Sequence, residues 1–599
     1  MFEKLLLAAL MAASVAGFSI RFLPILRKIR AAKPDADFSL HPIGKRFRDF
    51  VWEVMLQAKV IRERPLPGLA HALVFWGFCA FALITLNHIA IGFGVPFLDQ
   101  GSFYFILAAV FAVAVAVSIA GLFVRRFIVR PKWLGQISPE SGVIALLIFI
   151  LMTTYLGSLA ADSKPLWWAH TLALLIFLPL IPHTKHLHLV LSPFSVFLTR
   201  GSFAKIPPLV GDDDFGLDTG KDLTQIIALQ AYSCVECGRC TEHCPANATG
   251  KILDPKQIAL GVRGYLNEFG PTSVESLFGK HLSQEAAFQC TTCGACEFQC
   301  PVGVEHLPII VGLRRGAVNT GKWDDNYGTK LFLALERNGN ALGFSSAERD
   351  KFIAKEQFPI FDGSQEYCLW LGCMGAYDPQ GREIIADFAR VMRHLGTTFG
   401  VLSKEKCTGD PARRLGNDLV FQQLAEANLE TLAQSKVAKI VSICPHCVRT
   451  ISTDWREHGE APPIEHHSEF MARHVNQLPK SQDRQIVYHD PCYLGRYRNV
   501  YDEPRTVLAR SGEVVDPPRS RERSFCCGAG GGLAFLGEEK GDRVSHNRAR
   551  ELAATGAGTV AAACPFCNTM FRDALSAVSP TPPKLLDIAQ IVAASIAKR

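Results

Sequence analysis

The chain has 599 residues, of which 48% are hydrophobic and 20% are charged, and its formal net charge at pH 7 is +7. A chain of this length is expected to hold several domains. The modest positive charge, with no accompanying binding motif, argues against a nucleic-acid partner. Cysteine is unevenly placed, because 18 of 19 cysteines follow residue 233 and only Cys79 lies in the apolar first third. Clustered cysteines predict metal ligands that are kept as thiols in a reducing compartment.

Residues 1–200 are predicted to form a membrane domain with five spans. Each apolar segment approaches the roughly 20 residues that cross a bilayer. The segments lie at about residues 4–26, 68–94, 102–124, 141–161 and 166–190. The first is interpreted as a span and not as a cleaved signal peptide, because Arg27, Lys28 and Arg30 follow the apolar run instead of preceding it. Basic residues concentrate in the loops 27–64 and 125–132, so the N-terminus is predicted outside and the large C-terminal part in the cytoplasm.

Four intramembrane histidines are the candidate cofactor ligands of this domain, since ionisable groups inside a bilayer are usually functional. His71 and His88 lie 17 positions apart on the second span, and His170 and His188 lie 18 apart on the fifth. At 1.5 Å per residue, each pair is separated by roughly 25 Å, close to the thickness of the apolar core. Because the two spans are antiparallel, His88 is expected to meet His170 near the outer face, and His71 to meet His188 near the inner face.

Two facing histidines can bind a haem iron from both sides, although histidines that only hydrogen-bond at helix ends would have the same spacing. At the inner face, His183 and His186 are alternatives to His188. The segments HALVFWGF, WWAH and PHTKHLHL resemble the nitrate reductase gamma-subunit family of cytochromes b and the membrane cytochrome of heterodisulfide reductase. The resemblance covers about residues 1–200. It implies two b-type haems, each with two histidine ligands, and contact with a quinone pool.

Residues 201–225 are predicted to be a solvated linker. They contain Pro207, Pro208 and an acidic run at 212–214. Prolines and clustered charges of this kind are typical of connecting segments. An ion-binding role for the acidic run is disfavoured.

Residues 226–325 contain the ligand pattern of an iron–sulfur protein twice. Each copy has the spacing CxxCxxCxxxCP, which is typical of ferredoxins that hold two clusters. The two copies consist of Cys234, Cys237, Cys240 and Cys244, and of Cys290, Cys293, Cys296 and Cys300. Zinc knuckles or a disulfide framework are the alternatives, but zinc needs only four ligands and has no use for the paired CxxxCP endings.

The fourth cysteine of each run usually binds the other cluster. The expected ligand sets are therefore Cys234, Cys237 and Cys240 with Cys300, and Cys290, Cys293 and Cys296 with Cys244. Between the runs, the segments PKQIALGVRGYLNEF and VESLFGKHL place apolar residues at helical spacing. The prediction is an α-helical ferredoxin domain that binds two [4Fe–4S] clusters.

After a charged and aromatic connector at 326–364, the chain repeats a cysteine pattern over about 120 residues. The first repeat, 365–483, has Cys373, Cys407, Cys444 and Cys447; the second, 484–599, has Cys492, Cys526, Cys527, Cys564 and Cys567. In both repeats 33 residues separate the first two cysteine positions. Short apolar runs such as YCLWLGC and IVYHDPC end in cysteine and alternate with helical stretches. This predicts tandem α/β domains whose cysteines gather at the carboxyl edge of parallel strands.

The repeat resembles the cysteine-rich CCG domain, which is shared by heterodisulfide reductase catalytic subunits, glycolate oxidase iron–sulfur subunits and related membrane iron–sulfur oxidoreductases. The resemblance implies that all five cysteines of the second repeat are catalytic ligands of a special four-iron cluster, because the disulfide chemistry of heterodisulfide reductase occurs in this domain. The first repeat has Thr408 in place of the paired cysteine and is degenerate. Its four cysteines are enough for a cubane. One or two further [4Fe–4S] clusters are thus implied, one of which need not be a cubane.

Several other residues have less specific interpretations. The segment GAGGGLAFLG at 528–537 follows a cysteine pair instead of a strand. We therefore favour packing against a cluster over nucleotide binding. Arg413 and Arg414 either dock a partner or form structural ion pairs. His489 either tunes a cluster or hydrogen-bonds locally, and Cys368 is interpreted as a core residue.

The combination of these domains on one chain resembles the fused heterodisulfide reductase-like proteins, which include membrane oxidoreductases that pass electrons from electron-transfer flavoprotein to menaquinone. It implies a multi-pass protein of the bacterial plasma (inner) membrane with cytoplasmic iron–sulfur domains. The implied partners are electron-transfer flavoprotein or another cytoplasmic flavoprotein, and menaquinone as the substrate. Two alternatives stay open: a quinol-linked heterodisulfide or thiol–disulfide reductase, and a non-catalytic electron-transfer subunit of a larger respiratory complex. Thr408 argues against two-site disulfide cleavage.

Overall fold

The computed structural model describes the chain in seven stretches. They are residues 1–99, 102–131, 138–161, 163–211, 213–481, 484–538 and 540–596. The predicted fold class is confirmed: a bundle of five long apolar helices is followed by a helical ferredoxin domain and by two small parallel sheets. Lys132, Asp212 and the predicted boundary at residue 483 lie outside the described ranges.

Within the described ranges, five helices are long and apolar enough to cross a membrane. They are α1 (Phe2–Ala31), α4 (Pro65–Phe93), α5 (Phe103–Val124), α6 (Pro139–Ala160) and α7 (Lys164–His183), and the short helices α2 (Ile43–Phe50), α3 (Ala58–Glu63) and α8 (His188–Phe197) accompany them. The long helices leave large apolar side chains such as Leu86, Val110 and Val117 exposed. Outward-facing apolar side chains are expected where the surrounding solvent is lipid.

The prediction of one continuous fifth span at 166–190 is wrong. Helix α7 stops before a 3₁₀ turn, Lys185–Leu187, and His188 is the first residue of α8. Pro179 and Pro182 lie in the last turns of α7, where each removes a backbone donor and weakens the helix. His188 therefore reaches its position through a bend in the chain, and not by lying 18 residues further along a straight helix.

The ferredoxin domain is helical, as the sequence predicts. Its helices are α9 (Gln225–Ser233), α10 (Arg239–Glu242), α11 (Pro245–Ala248), α12 (Pro255–Glu268), α13 (Gln284–Phe288), α14 (Ala295–Gln299) and α15 (His306–Asn319), and the connector adds α16 (Asn326–Asn338) and α17 (Ser346–Lys355). In each cysteine run a glycine with positive φ, Gly238 (75°) or Gly294 (73°), precedes a short helix. This left-handed residue turns the CxxCxxC loop so that its cysteines can face one point.

The segment before α9 packs against its neighbours, which contradicts the expectation of a solvated linker. Ala204, Ile206 and Leu217 are buried. Asp214, the last residue of the acidic run, forms an ion pair with Lys33 at 2.9 Å. The segment is covered because it runs between the ferredoxin domain and the first repeat, whose arginines donate to its carbonyl oxygens.

Each repeat is built on a four-stranded parallel sheet. The first sheet has the order β2-β1-β3-β4 with β1 (Tyr367–Trp370), β2 (Phe399–Gly400), β3 (Ile440–Ser442) and β4 (Ile464–His466); the second has the order β6-β5-β7-β8 with β5 (Gln485–Tyr488), β6 (Glu513–Val515), β7 (Thr559–Ala562) and β8 (Lys584–Asp587). The same order in both repeats places the central strands β1 and β3, or β5 and β7, side by side. Their carboxyl ends lead directly to the cysteines.

Helices cover these sheets. The first repeat has α18 (Gly372–Tyr377), α19 (Pro379–His394), α20 (Asp410–Leu415), α21 (Asp418–Gln434), α22 (Pro445–Ser452) and α23 (His467–Arg473); the second has α24 (Gly495–Arg498), α25 (Asp502–Leu508), α26 (Leu533–Leu536), α27 (Val544–Ala553), α28 (Pro565–Val578) and α29 (Ile588–Ile596). The two repeats share one hydrophobic core. The core of the ferredoxin domain extends into the second repeat at Cys492 and Tyr493. The cysteine-bearing domains therefore form one packed body.

Candidate electron-transfer sites

The eight ferredoxin cysteines line two small cavities. One cavity is lined by Cys234, Cys237, Cys240 and Cys300, and the other by Cys244, Cys290, Cys293 and Cys296. These are the two sets that crossed ligation requires. Four sulfur donors around one small cavity are the donor set of a [4Fe–4S] cluster, so the residues fit that group.

The sulfur atoms of this domain are enclosed and already receive backbone hydrogen bonds. The Thr292 N–H donates to the sulfur of Cys290 at 3.3 Å, and the Val304 N–H donates to the sulfur of Cys300 at 3.2 Å. Burial raises the pKa of Cys234 to about 12 and the pKa values of Cys290 and Cys300 to about 11. Iron binds the thiolate, so cluster assembly is expected to release protons from these thiols.

The five cysteines of the second repeat lie together and are buried. The Cys567 thiol donates to the sulfur of Cys527 at 3.2 Å. Cys526 interacts with Cys492 in its own repeat and with Cys293 in the ferredoxin domain, and Nε of Arg496 donates to the carbonyl oxygen of Cys293 at 2.8 Å. The second repeat thus presents a five-sulfur site that touches a ligand of the second ferredoxin cavity.

A glycine-rich segment makes this contact between the domains close. A Cβ atom at Gly530 would lie 2.3 Å from the carbonyl oxygen of Thr291, and one at Gly531 would lie 2.2 Å from that of Cys290. Only glycine allows such an approach. Arg314 reinforces it by donating to the carbonyl oxygens of Cys290 (2.6 Å) and Gly531 (3.0 Å). The segment GAGGGLAFLG therefore packs against a cysteine run, which supports the packing interpretation over nucleotide binding.

The first repeat brings its four cysteines together as well. Cys373 interacts with Cys407, and Cys444 interacts with Cys447. Thr408, which follows Cys407, lies with its hydroxyl oxygen 3.9 Å from the sulfur of Cys447. A hydroxyl group thus faces the cluster site where the second repeat has the Cys527 thiol.

His446 of the first repeat reaches the site of the second, which sequence reasoning missed. Its Nδ1 lies 2.9 Å from a carboxylate oxygen of Asp410, and its ring stacks on Tyr493 with centroids 3.8 Å apart. It also interacts with Cys564. Burial lowers the pKa of His446, but Asp410 and Cys564 outweigh burial and raise it well above the ordinary value. Burial likewise raises the pKa of Cys564, and hydrogen bonds from Cys567 and His446 lower it to about 5.

Arg413 and Arg414 form structural ion pairs and are only 2% and 1% exposed. Arg413 pairs with Asp418 at 2.8 Å, and Arg414 pairs with Asp410 at 3.0 Å. Neither guanidinium is accessible to a docking partner. Arg414 also holds the carboxylate that orients His446.

His88 and His170 face each other between α4 and α7, with ring centroids 4.6 Å apart. Nδ1 of His170 lies 2.8 Å from the Thr154 hydroxyl, which leaves its Nε2 for a metal. Nε2 of His88 lies 2.8 Å from the Thr171 hydroxyl. Two imidazoles supply the kind of donor atoms that a b-type haem would bind, and His170 would offer its Nε2. For His88, ligation through Nε2 requires loss of the Thr171 contact.

At the other end of the bundle, His71 interacts electrostatically with His188 and with Arg239 of the ferredoxin domain. Nδ1 of His188 donates to the carbonyl oxygen of Lys185 at 2.9 Å, which leaves its Nε2 for a metal. Arg239 immediately precedes Cys240, a cysteine of the first ferredoxin cavity. The inner histidine pair therefore lies within electrostatic range of a residue that is next to a cysteine of that cavity.

The two alternative inner ligands differ in position. His183 is exposed and donates to the carbonyl oxygen of Pro179 at 2.7 Å. The ring of His186 lies 5.9 Å from that of His188, and it also interacts with His71. His186 remains an alternative to His188, whereas His183 faces away from the pair.

Comparison with known proteins assigns the same domains. The model of the cysteine-rich domain (CCG) matches residues 367–452 and 486–572, and that of the 4Fe-4S dicluster domain matches residues 230–304. The probable iron-sulfur-binding oxidoreductase FadF of Bacillus subtilis (strain 168) is 35% identical over 492 residues, which cover 72% of this chain and 70% of FadF. The chain belongs to this family of iron–sulfur oxidoreductases. Its CCG and dicluster domains are those of a heterodisulfide reductase-like member.

Two further relatives extend the likeness. EtfAB:quinone oxidoreductase of Syntrophomonas wolfei subsp. wolfei is 29% identical over 637 residues, covering 90% of this chain and 88% of that protein. A subunit of the dihydromethanophenazine:CoB--CoM heterodisulfide reductase of Methanosarcina mazei is 29% identical over 381 residues, covering 60% of this chain and 92% of that subunit. The match to the first covers so much of this chain that it includes most of the membrane domain.

Proposed function

We propose that this oxidoreductase passes electrons from a cytoplasmic flavoprotein, electron-transfer flavoprotein, through iron–sulfur clusters and two b-type haems to menaquinone. The similarity to an EtfAB:quinone oxidoreductase over 90% of the chain supports both ends of this route. No nicotinamide- or flavin-binding pattern is visible in the sequence, so the two-electron step at the entry is assigned to the partner.

The observation that carries the proposal is the unbroken order of the ligand groups. His446 joins the first repeat to Cys564 of the second. Cys526 of the second repeat contacts Cys293 of the second ferredoxin cavity. Arg239, beside the first cavity, interacts with His71 of the inner histidine pair. These interactions link the ligand groups from the first repeat to the inner histidine pair, and the step to the outer pair is part of the proposal.

Iron–sulfur clusters and haems supply one-electron chemistry when they are bound. The chain holds their candidate ligands in dry surroundings: of the 17 ligand cysteines, only Cys237 is not buried. Exclusion of water protects such clusters from hydrolysis and oxidation. Backbone N–H groups at Thr292 and Val304 already point at sulfur atoms, where they stabilise thiolate charge.

The orientation in the membrane is part of the proposal. Arg64 forms an ion pair with Glu242 of the ferredoxin domain, and Arg46 donates to the carbonyl oxygens of Phe197 and Thr199. The basic loop 27–64 thus lies at the end of the bundle that contacts the ferredoxin domain. The positive-inside rule places this end in the cytoplasm and the N-terminus outside. A bacterial inner membrane is the proposed location.

A second candidate function is a quinol-linked heterodisulfide or thiol–disulfide reductase. The similarity to a heterodisulfide reductase and the complete set of five cysteines in the second repeat favour it. Thr408 in the first repeat argues against it, because only one repeat then has the five-ligand pattern.

The test uses the full chain in lipid nanodiscs that contain a menaquinone analogue, under anaerobic conditions. Reduced electron-transfer flavoprotein is added, and the haem absorbance and the quinol yield are followed. Reduction of a b-type haem band together with quinol formation supports the proposal. Turnover that requires a disulfide substrate, with no haem reduction by the flavoprotein, would instead support the second candidate.

A further inference from the structure

Among the described residues, each repeat contains a buried ring nitrogen near its cysteines that has no hydrogen-bond partner. In the first repeat it is Nε1 of Trp370, and in the second it is Nε2 of His489. The two side chains are 0% and 1% exposed. A buried polar group without a partner costs free energy, so two such groups at related places call for a function.

The sheet register shows that the two residues are equivalent. Trp370 pairs with Ser442, which lies two residues before Cys444. The backbone N–H of His489 donates to the carbonyl oxygen of Ala561 at 2.9 Å. This bond continues the β5–β7 pairing by one residue, so His489 lies opposite Ala562. Ala562 lies two residues before Cys564, as Ser442 lies two residues before Cys444. Both Trp370 and His489 also lie three residues before the first cysteine of their repeat.

In the second repeat, the ring of His489 lies against the five-sulfur site. A ring nitrogen of His489 and the sulfur atoms of Cys527 and Cys567 all lie within 4.8 Å of one another. This grouping has the composition of a metal site. Two interpretations follow: His489 is a ligand of iron, or it donates a hydrogen bond to sulfur.

Arg548 decides between these interpretations. Its Nε donates to Nδ1 of His489 at 3.2 Å, and its own position is fixed by hydrogen bonds to Arg519 (2.9 Å) and Glu551 (2.8 Å). A guanidinium group only donates. Nδ1 must therefore accept, and the neutral imidazole carries its proton on Nε2. A protonated Nε2 can donate to sulfur but has no lone pair for iron.

The first repeat leads to the same conclusion independently, because an indole nitrogen is a donor only. A Cβ atom at Gly372 would lie 3.1 Å from the sulfur of Cys447 and 3.9 Å from Nε1 of Trp370. The indole N–H and this sulfur thus flank one small space. The equivalent position is tryptophan in the first repeat and histidine in the second. Both side chains are aromatic rings that can present an N–H group at this point.

We propose that His489 and Trp370 each donate this N–H to a sulfur atom of the iron–sulfur site in their own repeat, and that His489 is a positioning residue and not an iron ligand. The proposal rests on the assignment of a cluster to each repeat. Hydrogen bonds to sulfur stabilise the more negative, reduced form and so raise the reduction potential of a cluster. The two residues therefore set the potentials of the two sites separately.

The test is an equilibrium redox titration of the full chain with dithionite and mediators, followed by electron paramagnetic resonance. His489→Phe removes the N–H, and it is expected to shift the second-repeat signal to lower potential by about 59 mV, a tenfold change in the reduced-to-oxidised ratio. Trp370→Phe is expected to shift only the first-repeat signal. Iron content is expected to remain that of the wild type in both variants. His489→Gln keeps an N–H donor and is expected to restore most of the potential.

The matched control is His546→Gln, a change of a partly exposed histidine on α27, which is expected to leave both signals unchanged. Wild-type protein labelled with ¹⁵N-histidine supplies a readout without any substitution: pulsed spectra are expected to show only weak nitrogen coupling at the second-repeat site. Strong nitrogen coupling at the second-repeat site would identify His489 as an iron ligand and overturn the proposal. Loss of iron from that site in both His489→Phe and His489→Gln would do the same. Unchanged potentials in both phenylalanine variants would also overturn it. The titration uses dithionite as the reductant and needs no flavoprotein. Its outcomes can therefore be interpreted even if the proposed electron donor is wrong.

Discussion

The two repeats have the same sheet order, the same cysteine spacing and different site chemistry. Both sheets place the first cysteine after the central strand and the CxxC pair after its neighbour. The first repeat has Thr408 where the second has Cys527, and both side chains are buried. A shared backbone thus supports either four or five sulfur donors. The fold therefore determines where the ligands converge, whereas a single side chain determines the number of sulfur ligands.

A second difference lies where the repeats meet. The CPHC segment of the first repeat contributes His446, and the CPFC segment of the second contributes Phe566 at the equivalent position. Their ring centroids lie 5.0 Å apart. The His446 ring interacts with Cys564 of the second repeat. Phe566 has no polar group that could interact in the same way with a cysteine of the first repeat. The second-repeat site is therefore built by both repeats, which gives the degenerate first repeat a role beyond its own cysteines.

The largest effect is expected from removing the fifth sulfur. Cys527→Ser should lower flavoprotein-dependent quinol formation by more than roughly 100-fold, since it deletes a ligand and not a supporting contact. The matched change in the first repeat, Thr408→Ser, keeps the hydroxyl group and should leave the rate near that of the wild type. Steady-state rates and iron analysis of both variants check this. Equal losses in the two variants would contradict the comparison.

The next largest effect is expected when the CxxC segments of the two repeats are made identical. His446→Phe gives both repeats the sequence CPFC and removes the interaction of His446 with Cys564. Supporting contacts of this kind contribute about 10- to 100-fold, so a rate loss in that range is expected with iron content retained. Phe566→Leu, an apolar change at the equivalent position, is the control and should cost far less. The rates are measured in the nanodisc assay, and a wild-type rate for His446→Phe would refute the role of this contact.

Thr408→Cys tests whether one residue converts the first site into the second. The hydroxyl oxygen of Thr408 is 3.9 Å from the sulfur of Cys447, so a thiol at this position would adjoin the same sulfur. We expect the first-repeat resonance signal to change toward that of the second repeat, with a stability change of less than about 1.5 kcal/mol. Resonance spectra and thermal unfolding check these outcomes. An unchanged spectrum would show that the paired cysteine alone does not define the five-sulfur site.

The smallest effect is expected at a cysteine that belongs to neither site. Cys368 lies on β1 and is 0% exposed. Cys368→Ala should reduce the free energy of unfolding by about 1 kcal/mol through lost packing, with iron content and spectra unchanged. Thermal unfolding of the full chain measures this. Loss of iron would identify Cys368 as a ligand. The first repeat would then also have five cysteine ligands, which would contradict the comparison.

Spacing made much of this architecture predictable. The twin CxxCxxCxxxCP runs predict the grouping of Cys300 with the first cavity, and the apolar spacing between the runs predicts that the ferredoxin domain is helical. The 33-residue spacing predicts the tandem α/β repeats. The lengths of the apolar segments predict five membrane helices. They do not predict the break before His188, because the residue at which a proline-weakened helix ends depends on the surrounding packing. The solvated linker failed as a prediction for the same reason, since its burial comes from neighbouring domains.

The supporting residues were less accessible to sequence reasoning. His446 acts on a cysteine 118 positions away, and only the packing of the repeats brings the two together. Thr154 and Thr171, which contact the outer histidines, are ordinary residues of apolar helices in the sequence. Trp370 could have been found by aligning the repeats on their first cysteines, which places it opposite His489.

The most direct test of the central claim is stopped-flow reduction of the haems by reduced electron-transfer flavoprotein in the full chain and in its Cys293→Ser variant. Cys293 lies at the contact between the second repeat and the ferredoxin domain. The account predicts rapid reduction of the b-type haem band in the wild type, and reduction at least roughly 100-fold slower in the variant. Haem reduction at the wild-type rate in Cys293→Ser, or none in the wild type, would contradict the account.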